Sequence, residues 1–207
     1  MIEFEHIEVI PVFPTFIHKG KLINDNEINK LQQSLLDLRY QEDPNIEFWQ
    51  STDLLHTDVN FKNLTELILQ ETTKILDGYS VIRDSHYIAG MWGNIHAPNV
   101  AHAAHIHPNS YLSGVLYLNA PTDCGPLVFH DPRPASNIIE FAYESYNIRN
   151  GKTVVEIPEK GKMLVWPSWL MHGVELGRSQ EKEYRISIAF NVMLKGSVNI
   201  PTKRIIF

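Results

Sequence analysis

Residues 100–119 read VAHAAHIHPNSYLSGVLYLN. The second half of this stretch, SGVLYL (113–118), is a short apolar run that follows a Pro-Asn-Ser turn, which is the signature of a strand. On a strand, Ser113, Val115 and Tyr117 share one face. The first half carries three histidines, two of them, His105 and His107, only two residues apart.

Downstream and upstream the same texture repeats. HYIAGMW (86–92), PLVFH (126–130), TVVEI (153–157), KMLVW (162–166) and YRISIAFNVML (184–194) are short apolar or alternating stretches separated by Pro, Gly, Asn and Asp. Strands at this spacing predict an all-β sandwich or barrel. In YRISIAFN the residues Arg185, Ser187, Ala189 and Asn191 fall on one face. Such a face is either exposed or lines a polar pocket, because buried polar groups need partners.

Before about Ser85 the pattern is helical. Asn24 stands three residues before Glu27 as a capping box, and Ile28, Leu31, Leu35 and Leu38 follow at helical spacing. A second helix is predicted from about Asn60 to Asp77, with Phe61, Leu64, Leu67, Ile68, Ile75 and Leu76 as its apolar stripe and Gly78 as its stop. The expectation is one domain over residues 1–207, with a helical part to about residue 84 and a β core from about residue 85.

Composition sets the class. The 207 residues are 43% hydrophobic and 20% charged, as in ordinary globular proteins, and the formal charge of −6 offers no electrostatic reason to expect nucleic acid or an anionic membrane as partner. The single cysteine, Cys124, excludes a disulfide within the chain and makes a cytoplasmic setting the expectation. The opening MIEFEHIEVIPVFP lacks the basic head and long apolar stretch of a secretion signal, and no apolar run approaches the roughly 18 residues a membrane helix needs.

Histidine is the unusual residue: five of the ten lie between His86 and His107. Residues i and i+2 on a strand share a face, so His105 and His107 can converge on one ion. His172, in LVWPSWLMHGV after an apolar strand, is the third candidate ligand. Three protein ligands on one side of a metal leave positions open for other molecules, as catalytic sites require. His102 is out of phase with the pair and reads as a bystander. His86, His96 and His130 read as satisfied or exposed histidines, and Trp166 and Trp169, flanking the distal histidine, as core filling or a substrate mouth.

In this order, His-x-His, a strand, a turn, a lone His after an apolar strand and then Arg185, the sequence resembles the Fe(II)- and 2-oxoglutarate-dependent oxygenases. The likeness runs from about Trp92 to Met193. It is carried by HIHPNSYLSG (His105–Gly114), DPR (Asp131–Arg133) and PSWLMHGV (Pro167–Val174). The resemblance implies a double-stranded β-helix, or jelly roll, with flanking N-terminal helices. It implies Fe(II) at the positions of His105, His107 and His172, where His107 replaces the family's usual carboxylate; Asp131 is the alternative ligand. It implies 2-oxoglutarate with its far carboxylate on Arg185, assisted by Ser187, Tyr117, Ser113 and Asn94. The expected partners are 2-oxoglutarate, dioxygen and an unidentified peptide or small-molecule substrate to be hydroxylated with release of succinate and CO2. Two rivals remain: a three-histidine, cupin-like metalloenzyme that needs no 2-oxoglutarate, and a jelly-roll binding module without catalysis.

Overall fold

A computed structural model of the chain describes residues 8–42, 48–97, 99–134, 138, 141–179 and 183–197. The ends of the expected domain, residues 1–7 and 198–207, lie outside the described residues. Among the described residues, ten strands and two α-helices follow one another as β1 (His18–Lys21), α1 (Asp25–Glu42), β2 (Phe48–Gln50), α2 (Lys62–Gly78), β3 (Ser85–His96), β4 (His102–His105), β5 (Leu112–Asn119), β6 (Leu127–His130), β7 (Thr153–Glu156), β8 (Lys162–Pro167), β9 (His172–Val174) and β10 (Arg185–Lys195). They form a six-stranded sheet in the order β1-β8-β5-β10-β3-β2 and a four-stranded sheet in the order β4-β9-β6-β7, with every strand pair antiparallel. This is the expected mainly-β jelly roll.

The larger sheet is buried on both faces, which is why its central strand β5 is apolar almost without a break. One face packs on the helices. Ile186, Ile188, Phe190 and Val192 of β10 and Leu112, Leu116 and Leu118 of β5 join Ile28, Leu31 and Leu35 of α1 and Leu64, Ile68 and Leu76 of α2 in one core. The other face packs on the smaller sheet through Val115, Tyr117, Leu164 and Trp166 against Leu127 and Phe129. Alternation along β10 therefore sends isoleucines to the helices and Arg185, Ser187 and Ala189 into the space between the sheets. Opposite, the β3–β10 register shifts beside Asn191 and Val192, skipping Ala89. The bulge changes the phase of β3, so that Ile88 and Met91, three apart, both reach the helix-side core.

Both helices form where the apolar spacing predicts. The Asn24 side chain accepts from the Glu27 amide at 3.2 Å, one half of the capping box. Leu35 of α1 sits so tightly on β3 that a Cβ at Gly93 would lie 2.4 Å from its Cδ2. The stop after α2 differs from expectation. Gly78 belongs to the helix, and the left-handed residue is Ser80 (φ 53°), with Val81 donating to the Leu76 carbonyl at 3.1 Å. The first third is also less helical than predicted. It supplies β1 and β2, which close the two edges of the larger sheet. These strands are four and three residues long, too short for a period-two pattern to show. Among the described residues no helix is long and apolar enough to cross a membrane.

Candidate active site

Between the two sheets lies a cavity of about 160 Å³. Three histidines stand on its wall. His105 ends β4, His172 opens β9, and the two are paired in register, with ring centroids 4.6 Å apart. The strands can come this close because Gly173 has no side chain: a Cβ there would lie 2.8 Å from the His102 carbonyl oxygen. His107 completes the group. Its Nε2 is 3.2 Å from that of His105, and one ligand atom from each of the three histidines falls within 4.8 Å of the others.

The spacing argument reached His107 by the wrong route. The residue lies past the end of β4, and its position is set by its amide, which donates to the Ser168 carbonyl at 3.0 Å, and by stacking on His172 and Trp92. Its ring also hydrogen-bonds the Asn191 side chain. The Asn191 Oδ1 in turn accepts the Ser113 hydroxyl at 2.8 Å, and Ser113 meets the Ser168 hydroxyl at 2.8 Å.

These contacts select protonation states suited to a cation. The Nδ1 of His105 lies 2.8 Å from the Ala103 carbonyl, and that of His172 lies 2.8 Å from the Leu170 carbonyl. Each Nδ1 therefore carries the proton and donates, which leaves the lone pair on Nε2. Burial, and then the neighbouring His105, pushes His107 down to about 4. Burial also brings His172 to about 4, against a small opposing effect of its bond to the Leu170 carbonyl. Both rings are neutral at pH 7 and able to ligate. The alternative ligand, Asp131, is not part of this group: its carboxylate takes the Arg133 guanidinium at 2.9 and 2.7 Å. Trp166 is buried and packs edge-on to His172 at 4.8 Å, whereas Trp169 is 54% exposed.

At the other end of the cavity stands Arg185, 4% exposed. Its Nη2 donates to the Nδ1 of His96, its cross-strand partner, at 3.0 Å, while Nε and Nη1 are buried without a partner. Among the described residues no carboxylate pairs with it. A buried guanidinium without a counter-charge is costly, and a planar fork with free donors suits a bound carboxylate. Ser187, Tyr117 and Asn94 line the same cavity, and the Asn94 Oδ1 is also unpartnered. Burial raises the Tyr117 hydroxyl to about 12, so it stays protonated and can donate. Ser113 does not stand with them. Its hydroxyl is committed to Asn191 and Ser168, on the histidine side.

Sequence reasoning passed over two residues here. His96 and His102 both line the cavity and pack their rings on each other and on Phe48, with centroids 4.5 to 5.3 Å apart. The signal for His96 was available, since it lies two residues beyond Asn94 on one strand. His102 had none, because it comes from the opposite sheet.

A jelly roll with a neutral nitrogen triad and a buried arginine without a counter-charge facing one small cavity offers ligands suited to a metal ion and donors suited to a carboxylate. Residues 90–191, about half of the chain, match the family model described as "Putative 2OG-Fe(II) oxygenase", and this region is a 2OG-Fe(II) oxygenase domain. The cofactors of that family are Fe(II) and 2-oxoglutarate, and the donor set and the orphaned Arg185 nitrogens fit both. No curated protein matches the sequence. Among solved structures the chain is similar to a prolyl-4-hydroxylase from Pseudomonas putida (14% identity, TM-score 0.62, covering 88% of this chain and 94% of that one). It is also similar to HygX from Streptomyces hygroscopicus with nickel and 2-oxoglutarate bound (14%, 0.58, 87% and 83%). A third is the viral collagen prolyl hydroxylase from Paramecium Bursaria Chlorella virus-1 (13%, 0.55, 86% and 96%). At these identities the likeness is one of fold.

Proposed function

We propose that this protein is an Fe(II)- and 2-oxoglutarate-dependent dioxygenase that hydroxylates a peptide or small-molecule substrate, with release of succinate and CO2. His105, His107 and His172 hold the metal, and Arg185 binds the far carboxylate of 2-oxoglutarate. The observation that carries this reading is the buried, uncompensated Arg185 guanidinium facing the same cavity as the histidine triad.

When bound, the iron and its co-substrate supply the oxidising chemistry, in which dioxygen is consumed and 2-oxoglutarate is oxidatively decarboxylated. The chain's own groups bind and orient. Ser187, on the face of Arg185, and the protonated Tyr117 are donors for the same carboxylate. Val115, Leu127 and Trp166 also line the cavity, and their apolar surface limits water there, which strengthens the hydrogen bonds made inside it. With a third neutral histidine in place of a carboxylate, the metal and its three ligands keep the full 2+ charge, which favours a dianionic co-substrate.

Anaerobic calorimetry with Fe(II), or with redox-inert Mn(II), tests the reading. Metal-dependent binding of 2-oxoglutarate is expected in the wild type, lost in both His172→Ala and Arg185→Gln, while Arg185→Gln still takes up metal. Absence of 2-oxoglutarate binding by metal-loaded wild type overturns it. The triad without a carboxylate favours one second reading, the cupin-like enzyme with Arg185 as a substrate clamp. That reading gains if dioxygen is consumed without 2-oxoglutarate.

A further inference from the structure

The Arg185 guanidinium is not held by a carboxylate, as most buried arginines are, but by a neutral imidazole. His96 ends β3, faces Arg185 directly across the β3–β10 pair, and is 1% exposed. Its ring is wedged against Phe48 of β2 and His102 of β4, so two strands of the larger sheet and one of the smaller fix its plane. The Nδ1 accepts from Arg185, which puts the ring proton on Nε2, a buried atom without a partner. Burial first, then Arg185 and His102, pushes His96 down to about 2, so the ring stays neutral and the acceptor persists at any working pH.

The partner's neutrality has a consequence. A carboxylate in this place would satisfy the guanidinium electrostatically and compete with an incoming anion. A neutral acceptor removes one torsional freedom from Arg185 and leaves its positive charge uncompensated. Nε and Nη1 remain unpartnered on a side chain that lines the cavity.

We propose that His96 is a positioning residue for 2-oxoglutarate binding: through Nδ1 it locks the Arg185 guanidinium in the orientation that receives the far carboxylate, without neutralising it. This rests on the function proposed above.

The test compares His96→Phe, which keeps the ring and removes the acceptor, with His96→Asn, whose Oδ1 can stand where Nδ1 stood. 2-Oxoglutarate affinity is measured by anaerobic calorimetry on Mn(II)-loaded protein, and Mn(II) affinity is measured separately. His96→Phe is expected to weaken 2-oxoglutarate binding roughly 10- to 100-fold, the usual effect of losing a hydrogen bond to a charged group, with Mn(II) affinity unchanged. His96→Asn is expected to restore most of the loss, and in turnover the change should appear in KM for 2-oxoglutarate rather than in kcat. If His96→Phe binds 2-oxoglutarate like the wild type, or His96→Asn is as weak as His96→Phe, the positioning role is overturned while the oxygenase reading stands. If metal-loaded wild type itself binds no 2-oxoglutarate, both fall.

Discussion

His105 and His172 are in-register partners on two adjacent antiparallel strands, and each imidazole is turned by a carbonyl two residues before it, Ala103 for one and Leu170 for the other. The repeated i−2 contact gives both rings the same tautomer and aims both Nε2 lone pairs at one point. The backbone geometry of β4 and β9 thus builds two thirds of the triad. The third member, His107, relies on side chains: Asn191, and behind it Ser113.

That difference predicts different sensitivities to substitution. Replacing His107 by Asp restores the ligand type usual in the family and shortens the side chain without disturbing the two carbonyl-held rings. We expect His107→Asp to keep metal affinity within about tenfold of the wild type. His172→Ala should lose more than the roughly 10–100-fold typical of residues that merely orient a ligand. Metal titration of the two purified variants checks both; equal losses would show that His107 is as indispensable as the strand-borne pair.

Ser113 separates two roles. The family resemblance counted it with Tyr117 among the cofactor contacts, whereas its hydroxyl faces Asn191 and Ser168. Ser113→Ala should therefore weaken metal binding, by about tenfold, and leave the intrinsic affinity of the metal-saturated protein for 2-oxoglutarate unchanged. A variant that binds metal normally and 2-oxoglutarate poorly would return Ser113 to the cofactor side.

The buried histidines make folding sensitive to acid. His96 is pushed down to about 2 and His102 is also lowered, each by burial first and then by Arg185, from an ordinary 6.5 that the unfolded chain retains. Between those values the unfolded state binds protons that the folded state refuses. Their stabilising effect is complete above about pH 6.5 and declines as pH falls below it. From pH 7 to pH 5 the fully buried His96 contributes a loss on the order of 1–2 kcal/mol. Urea midpoints of the metal-free protein should drop over this range, and His96→Asn should flatten the curve. An unchanged slope in that variant would show that His96 takes up its proton without unfolding.

Much of the architecture was legible in the chain because strands and helices of five or more residues repeat their pattern. The alternation of Arg185, Ser187, Ala189 and Asn191 with isoleucines already implied a polar face, and the apolar run 113–118 a strand, which the structure buries on both sides. β1 (HKGK), β2 (FWQ) and β9 (HGV) were not legible: unlike the equally short β6 and β7, they lack three apolar or β-branched residues in a row, and they form because a neighbouring strand offers its edge.

By itself the sequence determined which residue types were available and in what order: a His-x-His pair, a distant histidine, and an arginine interleaved with isoleucines on a strand. Tertiary structure alone decided which of them meet. In the sequence His96 stands alone and His102 is out of phase with the His105 and His107 pair, yet both join the Arg185 end of the cavity because two sheets fold face to face there. Ser113 and Tyr117 share a strand face, yet one serves the histidine side and the other lines the cavity with Arg185. The reason is physical. Periodicity specifies the face on which a side chain emerges, whereas its partners are set by register and by the packing of the opposite sheet, which depend on contacts between residues far apart in the chain.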